Sequence, residues 1–124
     1  MATTINPVVH YRDLDAGARF LVDAFGFVHR ATHRAPDGSA QYVELSLDGA
    51  PLGLGPHGAG SIFDTGPAVV YIAIDDVDGM HERAVAAGAE VLMQPTDQDY
   101  GSRDFVARDA EGNVWCFGTF QPHG

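Results

Sequence analysis

The chain has 124 residues, 45% of them hydrophobic, which is enough for one core of ordinary size and not for two. Seventeen acidic against seven basic side chains give a net charge of −10, which repels a phosphate backbone, argues against nucleic acid as a partner and favours neutral or cationic ligands. The longest apolar runs, Ala68 to Ile74 and Val114 to Phe120, fall short of the roughly 20 residues a membrane helix needs; with no basic, apolar leader at the N-terminus and one cysteine, Cys116, expected to be buried, the expected compartment is the reducing cytoplasm.

Pro7-Val8-Val9-His10-Tyr11 reads as a strand. Asp13 or Asp15 can then cap a helix in which Ala18, Leu21, Val22 and Phe25 recur at helical spacing until Gly26 stops it. Phe27 to about Arg34 reads as a further strand, and Ala35-Pro36-Asp37-Gly38 marks a hairpin turn into the alternating strand Gln41 to Leu47. Asp48-Gly49 turns again into Leu52 to Leu54. Gly55 to Gly66 is rich in glycine and without periodicity, so it reads as a connection or a mobile lid; it carries Phe63, a ring that a loop has little reason to expose. The order then recurs: a strand over 69–74, a helix from about Val77 to Ala87, a strand from Glu90 to Met93, and a polar loop through Gln94-Pro95-Thr96-Asp97-Gln98-Asp99. A terminal hairpin follows, its strands Arg103 to Arg108 and Val114 to Phe120 flanking Asp109-Ala110-Glu111-Gly112-Asn113.

The chain therefore states one pattern twice, an apolar strand, an Asp-rich step, a short helix and a Gly stop, with Arg12-Asp13-Leu14-Asp15 answered by Asp75-Asp76-Val77-Asp78. A period of about sixty residues means two half-domains, neither large enough to fold alone, with function expected where they meet. This doubled step, together with Asp99-Tyr100-Gly101-Ser102-Arg103-Asp104-Phe105 and Ala107-Arg108-Asp109-Ala110-Glu111-Gly112-Asn113-Val114-Trp115, resembles the vicinal oxygen chelate superfamily of glyoxalases, bleomycin resistance proteins and dioxygenases over nearly the whole chain. The resemblance implies an α+β fold of paired βαβββ modules in a single domain, with module 1 at about 5–55, a connection at about 56–66 and module 2 at about 67–121. It also implies a cup-shaped sheet, completed as a homodimer, that holds a small molecule.

Metal-dependent members of that superfamily carry His or Glu ligands at inward positions of the first and last strand of each module. The matching positions here are Asn6, Gly53 or Leu54, Val69 and Cys116, none of them His or carboxylate. A divalent site needs three or four convergent donors, so no metal and no other cofactor is expected, and the departure argues against glyoxalase, dioxygenase and thiol-transferase activity together.

Strand parity suggests what lines the cup instead. Val8 and His10 share a face with Asn6; Tyr71 and Ala73 share one with Val69; Tyr42, Glu44 and Ser46 face away from Val43, Leu45 and Leu47. Asp104 and Val106 fall on the side of Cys116 and Gly118, with Trp115 and Phe117 in the core. The candidate ligand-binding residues are Asn6, His10, Tyr42, Glu44, Phe63, Tyr71, Tyr100, Ser102, Asp104 and Cys116, an aromatic, polar and acidic set. Each has a plainer reading as packing, turn or solvated surface. Arg103 reads as a structural ion pair with nearby acids. His29 and His33 lie four apart on a strand without a third donor, and His57, His81 and His123 read as solvated.

Two function classes follow. The first is a binding protein that sequesters a cationic or aromatic compound such as an antibiotic, with no catalysis. The second is an enzyme of the superfamily, a lyase, isomerase or dioxygenase, using Glu44 or His10 for proton transfer or a displaced metal site built from His10, Glu44 and Asp104.

Overall fold

A computed structural model of the chain describes residues 2–57 and 60–121. The chain divides into two compact units, Met1–Gly66 and Pro67–Gly124. The first runs β1 (Val8–Tyr11), α1 (Leu14–Phe25), β2 (Val28–Arg34), β3 (Ala40–Leu47) and β4 (Ala50–Pro56), and its sheet has the order β1-β4-β3-β2. The second runs β5 (Val69–Ala73), α2 (Val77–Ala86), β6 (Glu90–Asp97), β7 (Arg103–Arg108) and β8 (Val114–Gly118), in the matching order β5-β8-β7-β6. In each, the first strand pairs parallel to the last and the other pairings are antiparallel. The α+β class and the doubled βαβββ order expected from the sequence are both present.

In the first unit, Asp13 is the residue that caps α1: its carboxylate accepts the Ala16 N–H at 3.0 Å. Gly26, at φ 78°, closes the helix in the left-handed region that its missing Cβ allows. Leu14, Ala18, Leu21 and Phe25 form the buried stripe, and pleating sends Val9, Tyr11, Val43, Leu45, Leu52 and Leu54 to the same core. Burying a side chain such as Leu21 or Phe25 contributes roughly 1.5–3 kcal/mol. The hairpin from β3 to β4 turns in two residues, Asp48 (φ 49°) and Gly49 (φ 81°), whose paired positive φ values match the twist of the flanking strands.

In the second unit, Asp76 caps α2 by accepting the Gly79 N–H at 2.9 Å. The helix buries only Val77 and Ala84 fully, so the weight of packing falls on the sheet, where Phe105 and Phe117 stack at 5.1 Å beside Trp115. The turn between β7 and β8 is organised by buried Asp109, which accepts from the Glu111 and Asn113 N–H groups at 3.0 Å each and from Trp115 Nε1 at 3.0 Å. Asn113 Oδ1 in turn accepts the Ala68 N–H at 2.8 Å, which ties the turn to the start of β5.

Several expectations need correction. The polar loop expected over 94–99 is strand as far as Asp97: β6 is an edge strand, so Pro95 costs no ladder bond, and two register irregularities at Met93 hide the alternation. Gly55 and Pro56 belong to β4 rather than to the connection, and β8 stops at Gly118, leaving Phe120 beyond it. His81 is not solvated; its ring lies edge-on against Phe105 at 5.4 Å and Nε2 is buried without a hydrogen-bond partner among the described residues. Ser102 is buried rather than at a rim, and Cys116 is half-buried rather than fully so. His123 lies outside the described residues.

Candidate functional site

The sheet face opposite α1 in the first unit is set by register. Val8 pairs with Gly53 and His10 with Gly55 across β1 and β4, and Glu44 pairs with Gly53 across β3 and β4. Val8, His10, Tyr42, Glu44 and Ser46 therefore share this face. Two glycines on β4 leave it open. At Gly53 a Cβ would overlap the Tyr42 hydroxyl, so the phenol ring lies across β4 in the space a side chain would take, and its oxygen accepts from Asn6 Nδ2 at 3.4 Å. At Gly55 the nearest atoms are those of His10 and Val8, at 3.5 Å.

The segment after β4 supplies the remaining wall. His57 N–H donates to the Tyr11 carbonyl at 3.0 Å, and its ring lies 3.9 Å from the Asp64 carboxylate. Between them Ser61 forms a turn, its hydroxyl accepting the Phe63 N–H and its carbonyl the Asp64 N–H, both at 3.1 Å. Ile62 and Phe63 are thereby presented to a cavity of about 490 Å³ that is also lined by Val8, His10, Tyr42 and Pro56. Phe63 stays 68% exposed, so the loop does expose the ring that sequence alone gave no reason to expose. Apart from His10 and the Tyr42 hydroxyl the lining is largely apolar, and its volume falls in the range of about 300–1,000 Å³ typical of small-molecule sites.

Glu44, on the same face, does not line this cavity. Its carboxylate takes Nε2 of His33 at 2.6 Å, a partner that the spacing of His29 and His33 did not suggest because a bulge at Arg30 shifts the register of β2 against β3. His29 bonds instead to Thr32 Oγ1 at 2.7 Å. Glu44 borders a second, more polar cavity with Asn6, Arg30 and Ser46.

In the second unit, Tyr71 pairs with Cys116, Asp104 with Gly118 and Val106 with Cys116, which puts Tyr71, Asp104 and Cys116 on the face opposite α2. Asp104 is 4% exposed and accepts three hydroxyls: Ser102 Oγ at 2.6 Å, Tyr100 at 3.0 Å and Tyr71 at 3.3 Å. Gly118 makes this possible, since a Cβ there would overlap both Asp104 and the Tyr71 hydroxyl. Burial first, then the Asp104 charge, pushes the Cys116 thiol up. Burial likewise raises Tyr71, and the hydrogen bond to Asp104 raises Tyr100, so both phenols remain protonated donors at neutral pH. Arg103, the next residue on β7, points to the other face and pairs with Asp78 at 2.9 Å and Asp97 at 3.0 Å, the ion pair expected for it.

The residues at the superfamily's metal positions do not fit a divalent ion. Asn6 is bonded to Tyr42, Gly53 has no side chain, Leu54 is buried on the helix-packed face, Val69 is an exposed aliphatic, and Cys116 offers one half-buried thiol. Among the described residues of either unit, no three His, Cys, Asp or Glu side chains are grouped so as to hold a metal. No helix among them is long and apolar enough to cross a membrane.

These features have counterparts in known proteins. TioX from Micromonospora sp. ML1 has the same fold with a TM-score of 0.79 and 26% identity, over 94% of this chain and 98% of its own. An uncharacterized protein of Mycobacterium tuberculosis is 28% identical over 123 residues, spanning 92% of this chain and 72% of its own length. The anthracycline biosynthesis protein DnrV of Streptomyces peucetius is 33% identical over 125 residues, spanning 88% of this chain and 45% of its own length. A family model matches residues 4–117, and with it the chain belongs to the Glyoxalase/Bleomycin resistance protein/Dioxygenase superfamily.

Proposed function

We propose that this protein is a small-molecule binder that sequesters a cationic or aromatic compound, such as an antibiotic, without the divalent metal of its catalytic relatives. The observation that carries the reading is the cavity of about 490 Å³ on the open sheet face of the first unit, walled by Tyr42, Phe63, Ile62 and Val8 with His10 as its principal polar group. Such a lining suits a planar ring system: Tyr42 and Phe63 offer faces and edges for stacking, while His10 and the Tyr42 hydroxyl can orient a polar substituent. The net charge of −10 favours approach of a cation, and similarity to a protein named for anthracycline biosynthesis supports a polycyclic aromatic class. The catalytic alternative has no observation of its own: Glu44 is bonded to His33 and does not line the cavity that holds His10. In this reading the protein works in the cytoplasm as a single-domain homodimer with no cofactor.

Calorimetric titration with a panel of planar aromatic cations, anthracyclines included, tests the proposal. Saturable binding that is unchanged by a chelator and weakened by Phe63→Ala supports it. Binding that needs an added divalent metal, or turnover of the bound compound, refutes it.

A further inference from the structure

The second unit holds a buried carboxylate, Asp104, that pairs with no cation among the described residues. Among those residues its donors are neutral, the hydroxyls of Ser102, Tyr71 and Tyr100. Its neighbour Arg103 is turned away by strand alternation and spent on Asp78 and Asp97. Three aromatic rings stand around this carboxylate, and all three are exposed: Tyr71, Tyr100 and Phe120. They meet at right angles, Tyr71 to Phe120 at 6.3 Å and 80°, Tyr100 to Phe120 at 6.2 Å and 88°. The arrangement is braced from within, because the Phe120 N–H donates to the Tyr71 hydroxyl at 3.0 Å while that hydroxyl donates to Asp104.

Perpendicular aromatic walls above an anion match the chemistry of organic ammonium recognition. Ring faces attract a cation through their quadrupoles, and behind the rings stands a carboxylate that is itself 4% exposed and adds a full charge. The hydroxyls reinforce this, since each donates toward Asp104 and so fixes the ring that carries it. A neutral ligand would gain ring contact alone, and an anion would meet Asp104.

We propose that Tyr71, Tyr100 and Phe120, standing over the Asp104 carboxylate, form a recognition site for the protonated or quaternary amine of a small molecule. The proposal refines the cationic part of the binding reading above, and the two can fail separately. The test is an amide-resolved NMR titration of the whole protein with choline and with its uncharged isostere, in which carbon replaces nitrogen. Choline is expected to give saturable shifts at Tyr71, Tyr100, Asp104 and Phe120, with the isostere at least about tenfold weaker. Phe120→Leu, a change at an exposed residue outside the strands, is expected to weaken choline about three- to tenfold, whereas Phe63→Ala leaves it unaltered. Equal binding of choline and isostere, shifts absent from these residues, or indifference to Phe120→Leu overturns the ammonium site. If choline is silent while a neutral aromatic compound still binds at Phe63, this proposal falls and the cavity reading stands; the reverse result removes the cavity reading alone.

Discussion

Four positions made equivalent by the repeat carry Val8, His10, Tyr42 and Gly55 in the first unit and Tyr71, Ala73, Asp104 and Gly118 in the second. The backbone register is the same, since Val43 opposite Leu54 answers Phe105 opposite Phe117. The contents differ. In the first unit these side chains and the loop bearing Phe63 leave a largely apolar cavity; in the second, a hydroxyl network converges on Asp104 and occupies the same face. One scaffold thus supports an apolar cavity and an aromatic, hydroxyl-bonded carboxylate, and the choice rests on a few strand and loop residues. Fold and function separate at this level, as expected for a superfamily that hosts many chemistries.

The largest test of the contrast lies in the two β-hairpin turns. Asp109→Ala strands the buried Trp115 and Asn113 donors and is expected to lower stability by about 3 kcal/mol in urea denaturation. Asp48→Gly, at the corresponding turn of the first unit, relieves a positive φ and is expected to stay within about 0.5 kcal/mol of the parent. Comparable losses for both would show that the turns are not built differently.

A smaller separation is expected at the facing residues themselves. Asp104→Ala takes away the close acceptor of the buried Ser102 hydroxyl, which keeps only longer contacts such as that from Thr119 Oγ1 at 3.5 Å, at a cost of about 2 kcal/mol, while Tyr42→Phe removes only an exposed 3.4 Å bond to Asn6 and changes stability by less than about 0.5 kcal/mol. Thermal unfolding of the two variants reads the difference, and equal shifts would erase it. Gly118→Ala forces a methyl group into the anchored Asp104 and Tyr71 pair, whereas Gly53→Ala meets the single end of Tyr42. We expect the first to cost about 1–3 kcal/mol and the second less.

The smallest effect concerns pH. Because burial and the Asp104 charge both raise the Cys116 thiol, its thiolate forms at higher pH than that of an unperturbed cysteine, and alkylation at a fixed mildly alkaline pH is slow. Asp104→Asn removes one of the two causes, so the midpoint of the alkylation rate against pH moves down, toward the unperturbed value, and the rate at that fixed pH rises. An unchanged midpoint would mean that burial acts alone.

The sequence carried the architecture well because its signals were local. Capping aspartates, helical spacing, the Asp48-Gly49 turn and the sixty-residue recurrence each leave residue-level marks, and pleat parity correctly grouped Tyr42 with Glu44 and Asp104 with Cys116 on their faces. What escaped depends on register and on side chains meeting through space. A bulge at Arg30 gives Glu44 to His33, edge-strand tolerance of Pro95 extends β6, and the packing of His81 against Phe105 needs the distance between a helix and a strand. The cavity was legible only in its members Val8, His10, Tyr42 and Phe63; the wall they form depends on Gly55 and on the Ser61 turn, neither of which has a sequence signature of its own.

The most direct measurement is an amide-resolved NMR titration of the whole protein with an anthracycline in the presence of a chelator. Saturable binding is expected, with shifts concentrated at Val8, His10, Tyr42, Ile62 and Phe63 and abolished or strongly weakened by Phe63→Ala. No binding until a divalent metal is supplied, or saturable binding that leaves all five of those residues unperturbed, would contradict that expectation.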